Sequence, residues 1–301
     1  MNKPIGKQLR KKFRMGLVGG TALMMGAALI VSTGATAAGA QGQHYYLALG
    51  DSLSQGYQPN ANGIGTDTDQ GYVDDIYSSE LASDSSLVVE KLGCPGETTK
   101  TFIKGGICPI YSNQLNDAAR FLKKHGADTS FVTIDIGANN VDNCVTGLTV
   151  NLECINAGVE HIEHQLPIIL STLEAADPSV PIYGMNYYDP FLAAYLDGSS
   201  GQSLAALSLD LAQSVNGTLD TIYGDYNVPV ADVADAFGTY DNTFNNGDMI
   251  GGNPVPDDVY NICALTYMCA ASPVGPNIHA NPTGYQTIAN AFLAIPIAPA
   301  L

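Results

Sequence analysis

Four short segments carry residue types suited to acyl transfer. Gly50-Asp51-Ser52-Leu53 places a Ser, preceded by Gly, at the end of an apolar run. A sharp turn there would expose the hydroxyl as a nucleophile, although Ser also serves routinely as a helix N-cap. Gly96, in Cys94-Pro95-Gly96-Glu97, lets a backbone N–H approach a reacting oxygen and equally suits an ordinary turn. Asn139, in Gly137-Ala138-Asn139-Asn140, can aim its amide at a developing oxyanion or cap a helix. His279, in Pro276-Asn277-Ile278-His279, has a ring that accepts a proton at neutral pH, where a loop His is more commonly a surface residue. Each segment alone is ambiguous; together they supply a nucleophile, a base and oxyanion donors.

Positioning them requires elements. Five apolar, branched runs predict buried strands at Tyr45–Leu49, Leu87–Leu92, Phe131–Ile136, Pro181–Asn186 and Val228–Val233. Helical periodicity falls between and after them, over Tyr72–Ala82, Asn113–His125, Glu153–Ala176, Gln202–Tyr223 and Pro282–Leu293, with Pro167 expected to kink the third. Alternation of this kind predicts an α/β fold, a parallel sheet with helices on both faces and its ligand site beyond the carboxyl ends of the strands. The Ser, Gly and Asn segments each follow a predicted strand, and the His segment follows the last one. Two long irregular stretches, Ser54–Gly71 and Tyr240–Asn277, are expected to be walls or lids of that site.

This ordered set resembles the GDSL, or SGNH, hydrolase superfamily, with matches at Gly50-Asp51-Ser52-Leu53, Gly96, Gly137-x-Asn139 and His279. The resemblance spans the chain beyond its first 40 residues. It implies a single-domain, three-layer sandwich around a five-stranded parallel sheet, flavodoxin-like in order, and hydrolysis of carboxylic esters without metal or cofactor. Carried over residue by residue, Ser52 is the nucleophile and His279 the general base. The N–H groups of Ser52 and Gly96 and the Asn139 side chain form the oxyanion hole. The segment from Cys263 to Tyr285 further resembles the secreted esterase and lipase branch with three disulfides. One position departs from the family: the Asp usual three residues before the His is Pro276 here. The expected substitute is the Pro276 carbonyl, then the Asn277 side-chain oxygen, with Asp257 or Asp258 as further alternatives. A neutral acceptor stabilises imidazolium less than a carboxylate does, so the base should titrate lower than in a full triad.

Other constellations are weaker. Glu160-His161-Ile162-Glu163-His164 matches no zinc motif in order or spacing and reads as a solvated helix face. Asp67-Thr68-Asp69-Gln70-Gly71 lacks the Gly placement and closing Glu of a calcium loop, leaving a polar wall. Tyr183, Tyr187, Tyr188, Asp189 and Phe191 are candidates for a substrate pocket or for core. Asp51 is expected to bond the N–H groups of its own turn.

Composition bounds the rest. The 301 residues include 12 Lys plus Arg against 29 Asp plus Glu, a net charge of −17. Such acidity excludes nucleic acid and anionic membrane surfaces as partners. Six of the basic residues lie within the first 14 positions, ahead of an apolar stretch from Leu17 to Val31 and Ala-x-Ala sites ending at Ala37 and Ala40. That is the pattern of a secretory signal peptide over residues 1–40, too short to span a membrane stably, with a hydrolase domain over 41–301. Cleavage after Ala40 would take the charge to −23, which favours a soluble monomer. Six Cys in an exported chain read as three disulfides. Fifteen pairings are possible; the local set Cys94–Cys108, Cys144–Cys154 and Cys263–Cys269 is favoured because each pair brackets a turn-rich loop. The leading expectation is therefore a secreted serine esterase or lipase acting on a small-molecule or lipid ester. The alternatives are a secreted binding protein that has lost catalysis, or an acyltransferase sharing the acyl-enzyme.

Overall fold

Apolar runs rich in Val, Ile and aromatic residues pair into one parallel sheet because both of their faces can be covered by helices. The computed structural model describes residues 42–109, 111–245 and 247–296; the expected signal peptide lies outside the described residues. The sheet strands are β1 (His44–Gly50), β2 (Leu87–Lys91), β3 (Thr129–Asp135), β4 (Ile182–Met185) and β5 (Val230–Ala231). Their order is β2-β1-β3-β4-β5, with every neighbouring pair parallel. All seven residues of β3 are buried, as its place at the centre of the sheet demands. The chain leaves β1 toward one edge, and from β3 onward it builds toward the other. The topological switch therefore lies between β1 and β3, where Gly50 pairs with Asp135. Ligand crevices form at that point because the connections on either side diverge.

Helices cover both faces. They are α1 (Tyr72–Leu81), α2 (Thr99–Lys104), α3 (Gln114–His125), α4 (Leu152–Ala176), α5 (Gly198–Asp225), α6 (Val233–Ala236), α7 (Asp257–Leu265) and α8 (Pro282–Leu293); α1 packs on α8, while α3, α4 and α5 pack in succession. In α3 the buried stripe is Leu115, Ala118, Ala119 and Leu122, and Lys123, Lys124 and His125 close the last turn where the helix dipole favours cations. α8 begins where Asn281 accepts the Gly284 N–H at 3.0 Å and Pro282 occupies the first turn. This cap fixes the chain two residues beyond His279.

α4 is one helix with Pro167 inside it, where the absent N–H leaves the carbonyl of Glu163, an exposed residue, without its helical donor. Two expectations change. The stretch Tyr240–Asn277 is not a structureless lid: it contains a helix at Asp257–Leu265 and a short hairpin pairing Met249–Ile250 with Asn253–Pro254. Ser54–Gly71 likewise folds on itself through a hairpin pairing Gln58–Pro59 with Gly65–Thr66, Gln58 donating to Thr68 Oγ1 and to the Gln70 carbonyl. Thr68 and the Gln70 carbonyl are held by these local bonds, while Asp67 and Asp69 are exposed. His161 and His164 are exposed on α4, as a solvated face requires.

The disulfides are Cys94–Cys108, Cys144–Cys154 and Cys263–Cys269. The first encloses the loop bearing Gly96 and Glu97. Its closed loop of 14 residues is the longest of the three, so its loss enlarges the unfolded ensemble most. Replacing both Cys94 and Cys108 by Ser is expected to lower unfolding free energy by about 3 kcal/mol. Urea denaturation compared with the two shorter-loop double variants checks this ranking.

Candidate active site

The turn after β1 is built around Gly50 and Asp51. Gly50 adopts φ +137°, and a Cβ there would lie 1.9 Å from the Asp135 carboxyl, so no other residue fits. Asp51 donates its N–H to the Asp135 carbonyl at 3.1 Å and accepts the Leu53 N–H at 2.9 Å. That second bond is the turn-stabilising role expected of Asp51. Both carboxyls are buried behind Ser52; burial raises each above the usual carboxylate range, and the Asp51 charge raises Asp135 further. Tyr72 Oη donates to Asp135 Oδ1 at 2.9 Å.

Ser52 and His279 meet. His279 Nε2 lies 2.9 Å from Ser52 Oγ across 227 positions of sequence. On the other side of the ring, Nδ1 lies 2.7 Å from Asn277 Oδ1. The backbone N–H of His279 also donates to that oxygen at 3.0 Å. A backbone N–H requires an acceptor, so the oxygen of the Asn277 amide, and not its nitrogen, faces the ring. Nδ1 therefore carries the hydrogen, and Nε2 is left as the acceptor for the Ser52 hydroxyl. The expectation that the Pro276 carbonyl would orient His279 is corrected: Asn277 turns its side chain onto the N–H two residues ahead, and this local bond carries its oxygen to the ring. Asp257 instead bonds Asn245, and Asp258 accepts the Val259 N–H of its own helix. Tyr57 packs against the imidazole with ring centroids 4.9 Å apart. Burial pushes His279 down to about 4.

Asn139 follows β3 in a 3₁₀ turn and donates one amide N–H to the Glu97 carbonyl at 3.1 Å. An amide has two such hydrogens, so one remains for a ligand. Gly96 is exposed, with φ +82° and open space where a Cβ would stand. Its glycine identity answers to the left-handed backbone and not to close approach of another group. Asn140, which the sequence reading passed over, accepts the Thr99 N–H at 3.0 Å and donates to Thr99 Oγ1 at 2.8 Å, joining the Gly96 segment to the Asn139 segment.

Ser52, Asn139 and His279 line one pocket; Gly96 lies outside its lining. The pocket encloses about 860 Å³, counting the space at its open mouth. Its walls are mainly apolar: Val141, Val145, Val150 and Ile155 on one side, Phe191, Leu211 and Val215 on the other. Tyr187, Tyr188 and Asp189 also line it, whereas Tyr183 is core and packs edge-on against Phe131. The walls thus come from the segment after β3, the start of α4, the segment after β4 that carries Tyr187, Tyr188, Asp189 and Phe191, and α5, and not from the two long stretches. A buried Ser hydroxyl and a half-buried imidazole thus meet in the lining of a mainly apolar pocket.

The profile of the GDSL-like lipase/acylhydrolase family matches residues 48–287. The chain belongs to that family. It is an ester-bond hydrolase, and its four chemical segments all lie within the matched region. Among solved structures, this hydrolase shares its fold with phospholipase A1 from Streptomyces albidoflavus NA297, at 18% identity over 83% of this chain and 99% of that one, TM-score 0.50. It is likewise similar to an extracellular lipase from Streptomyces rimosus, at 19% identity over 82% and 99%, TM-score 0.51. No curated protein sequence matches the hydrolase. The five-stranded parallel sheet flanked by helices is the arrangement the family resemblance implied. No helix among the described residues is long and apolar enough to cross a membrane.

Proposed function

We propose that the protein is a secreted serine esterase or lipase, monomeric and free of metal, in which Ser52 attacks a carboxylic ester and His279 is the general base. The observation that carries this reading is the aligned Ser52–His279–Asn277 chain, 2.9 Å and 2.7 Å, at the mouth of an apolar pocket. Nε2 takes the Oγ proton as Oγ bonds to the carbonyl carbon, and the charge gathers on the carbonyl oxygen. The Ser52 and Gly96 N–H groups and the second Asn139 N–H receive that charge. The imidazolium then protonates the departing alcohol, leaving an acyl-Ser52. Water, deprotonated by the same nitrogen, releases the acid. Asn277 holds the tautomer through both halves without taking up charge. The three disulfides support a chain that matures outside the reducing cytosol, in keeping with the signal-peptide pattern of residues 1–40.

Turnover of p-nitrophenyl esters from acetate to palmitate, with Ser52→Ala as control, tests the reading. The apolar walls should make kcat/KM climb beyond acetate by up to about fourfold per methylene, the equivalent of about 0.8 kcal/mol per buried CH₂, until the pocket is filled. A profile falling monotonically from acetate would contradict an acyl role for the pocket.

Burial predicts the pH behaviour. The base works only when neutral, and His279 with a pKa near 4 stays neutral as pH falls well below its ordinary 6.5. The acidic limb of kcat/KM is expected near pH 4 to 5. Asn277→Asp puts a carboxylate behind the ring, favours the imidazolium and should move that limb upward by one or more pH units. An acidic limb above pH 7 in the unmodified protein would rule out the neutral-acceptor arrangement.

A further inference from the structure

We infer that Gln114 is a positioning residue that ties the nucleophile turn to the oxyanion-hole segment; the inference rests on the catalytic reading above. Gln114 is the first residue of α3 and is 0% exposed. Its Oε1 accepts the Gly50 N–H at 2.6 Å, and its Nε2 donates to the Gly50 carbonyl at 2.8 Å. The amide takes the place of a strand acceptor at the Gly50 N–H. β2 pairs with β1 only as far as Lys91 opposite Ala48; beyond it the Cys94 N–H still donates to the Gly50 carbonyl at 3.1 Å, whereas the Gly50 N–H goes to Gln114. An amide offers donor and acceptor together on one rigid plane and meets both polar groups of Gly50; a carboxylate lacks the donor and an ammonium the acceptor.

The second hydrogen of Nε2 goes to Glu97 Oε2 at 3.1 Å. Glu97 is 1% exposed and adjoins Gly96. Its carbonyl is the acceptor that holds Asn139, at 3.1 Å. One buried amide thus touches the residue two positions before Ser52 and the residue that both adjoins Gly96 and aims Asn139. The elements brought together are β1, the disulfide-closed loop after β2 and the turn after β3. Backbone bonds join β1 to its neighbours here, the Cys94 N–H to the Gly50 carbonyl and the Asp51 N–H to the Asp135 carbonyl, both at 3.1 Å; the Gln114 and Glu97 bonds add the side-chain link between the turn and the loop. Shifting the donors from the oxyanion position by a fraction of an ångström weakens transition-state binding while leaving the apolar pocket intact.

Two variants separate this from a purely structural role. Gln114→Met keeps the length and loses the donors and acceptor. Glu97→Ala leaves both Gly50 bonds in place and removes the link toward Gly96. The substrate is p-nitrophenyl butyrate, and the second probe is phenylboronic acid, which adds reversibly to a serine hydroxyl as a tetrahedral mimic. For each variant kcat is expected to fall by about 10- to 100-fold with KM within about twofold. Boronate affinity should weaken by the same factor as kcat/KM. Folded variants with kcat and boronate affinity within twofold of the parent would overturn the inference, as would a loss of kcat with boronate binding unchanged. Should Gln114→Met fail to fold, Glu97→Ala decides by the same criteria. Parent turnover that survives Ser52→Ala would instead sink the catalytic reading and this inference with it; turnover that is lost with Ser52 but indifferent to both variants sinks the inference alone.

Discussion

Ser52→Ala is expected to lower kcat on p-nitrophenyl butyrate by about 10⁵- to 10⁶-fold, with His279→Ala about equally damaging and the double variant no worse than either. The expectation follows from one hydrogen bond. With Nε2 2.9 Å from Oγ and Nδ1–H held by Asn277, the pair works as a unit. A hydroxyl without its base is a poor nucleophile, and a base without its hydroxyl has nothing to activate but water. Removing the second partner after the first therefore removes nothing further. What remains is catalysis by pocket and oxyanion donors acting on adventitious water. KM is expected to stay nearly constant, because the pocket lining of Val141, Phe191, Leu211 and Val215, proposed to hold the acyl chain, is left unchanged by both substitutions. Stopped-flow measurement adds a second check: the parent should release p-nitrophenol in a burst if deacylation is slow, and His279→Ala should not. Additive losses in the double variant would mean that Ser52 and His279 act in separate steps, contrary to the shared proton.

The parts legible in the sequence are those whose signal is local. Phe131–Ile136 reads as a buried strand because nothing but a two-sided cover tolerates such a run, and β3 lies within a residue or two of it. Asn113 and Asn281 announce helix starts by chemistry that acts within three residues. Ser52 and His279 become legible only as members of an ordered set, since each residue alone fits a cap or a surface loop. What escaped depends on tertiary placement. Gln114 looks like any polar residue in a first helical turn, and only the end of β2 at Lys91, two residues short of Gly93, leaves the Gly50 N–H to its side chain. That Asn277 rather than the Pro276 carbonyl faces the ring depends on the His279 N–H, which picks the Asn277 rotamer and carries no signal in residue type. Length suggests lids in the two long stretches, yet neither lines the pocket; the residues Tyr187 to Phe191, legible as aromatic and apolar neighbours after a strand, do line it, together with α5 and the segment after β3.

Asn139→Ala is expected to cost about 10²- to 10³-fold in kcat, about 3 to 4 kcal/mol of transition-state stabilisation, at nearly constant KM. The amide has two hydrogens and the Glu97 carbonyl takes one; that bond fixes the direction of the other. Alanine deletes the free hydrogen together with the bond to the Glu97 carbonyl, so the oxyanion is expected to lose a donor. Asn139→Asp adds a charge to that loss. Its carboxylate cannot donate to Glu97 and would set a negative charge beside the developing oxyanion, so the loss should exceed that of alanine at neutral pH and shrink as the carboxyl protonates. A donor required only in the transition state leaves ground-state binding alone, and the ester carbonyl in the Michaelis complex carries too little charge to reward it. Steady-state kinetics on p-nitrophenyl butyrate between pH 5 and 8 read both variants. If Asn139→Ala raised KM and spared kcat, the amide would be binding substrate and not its transition state, and the oxyanion hole would have to be built from the Ser52 and Gly96 N–H groups alone.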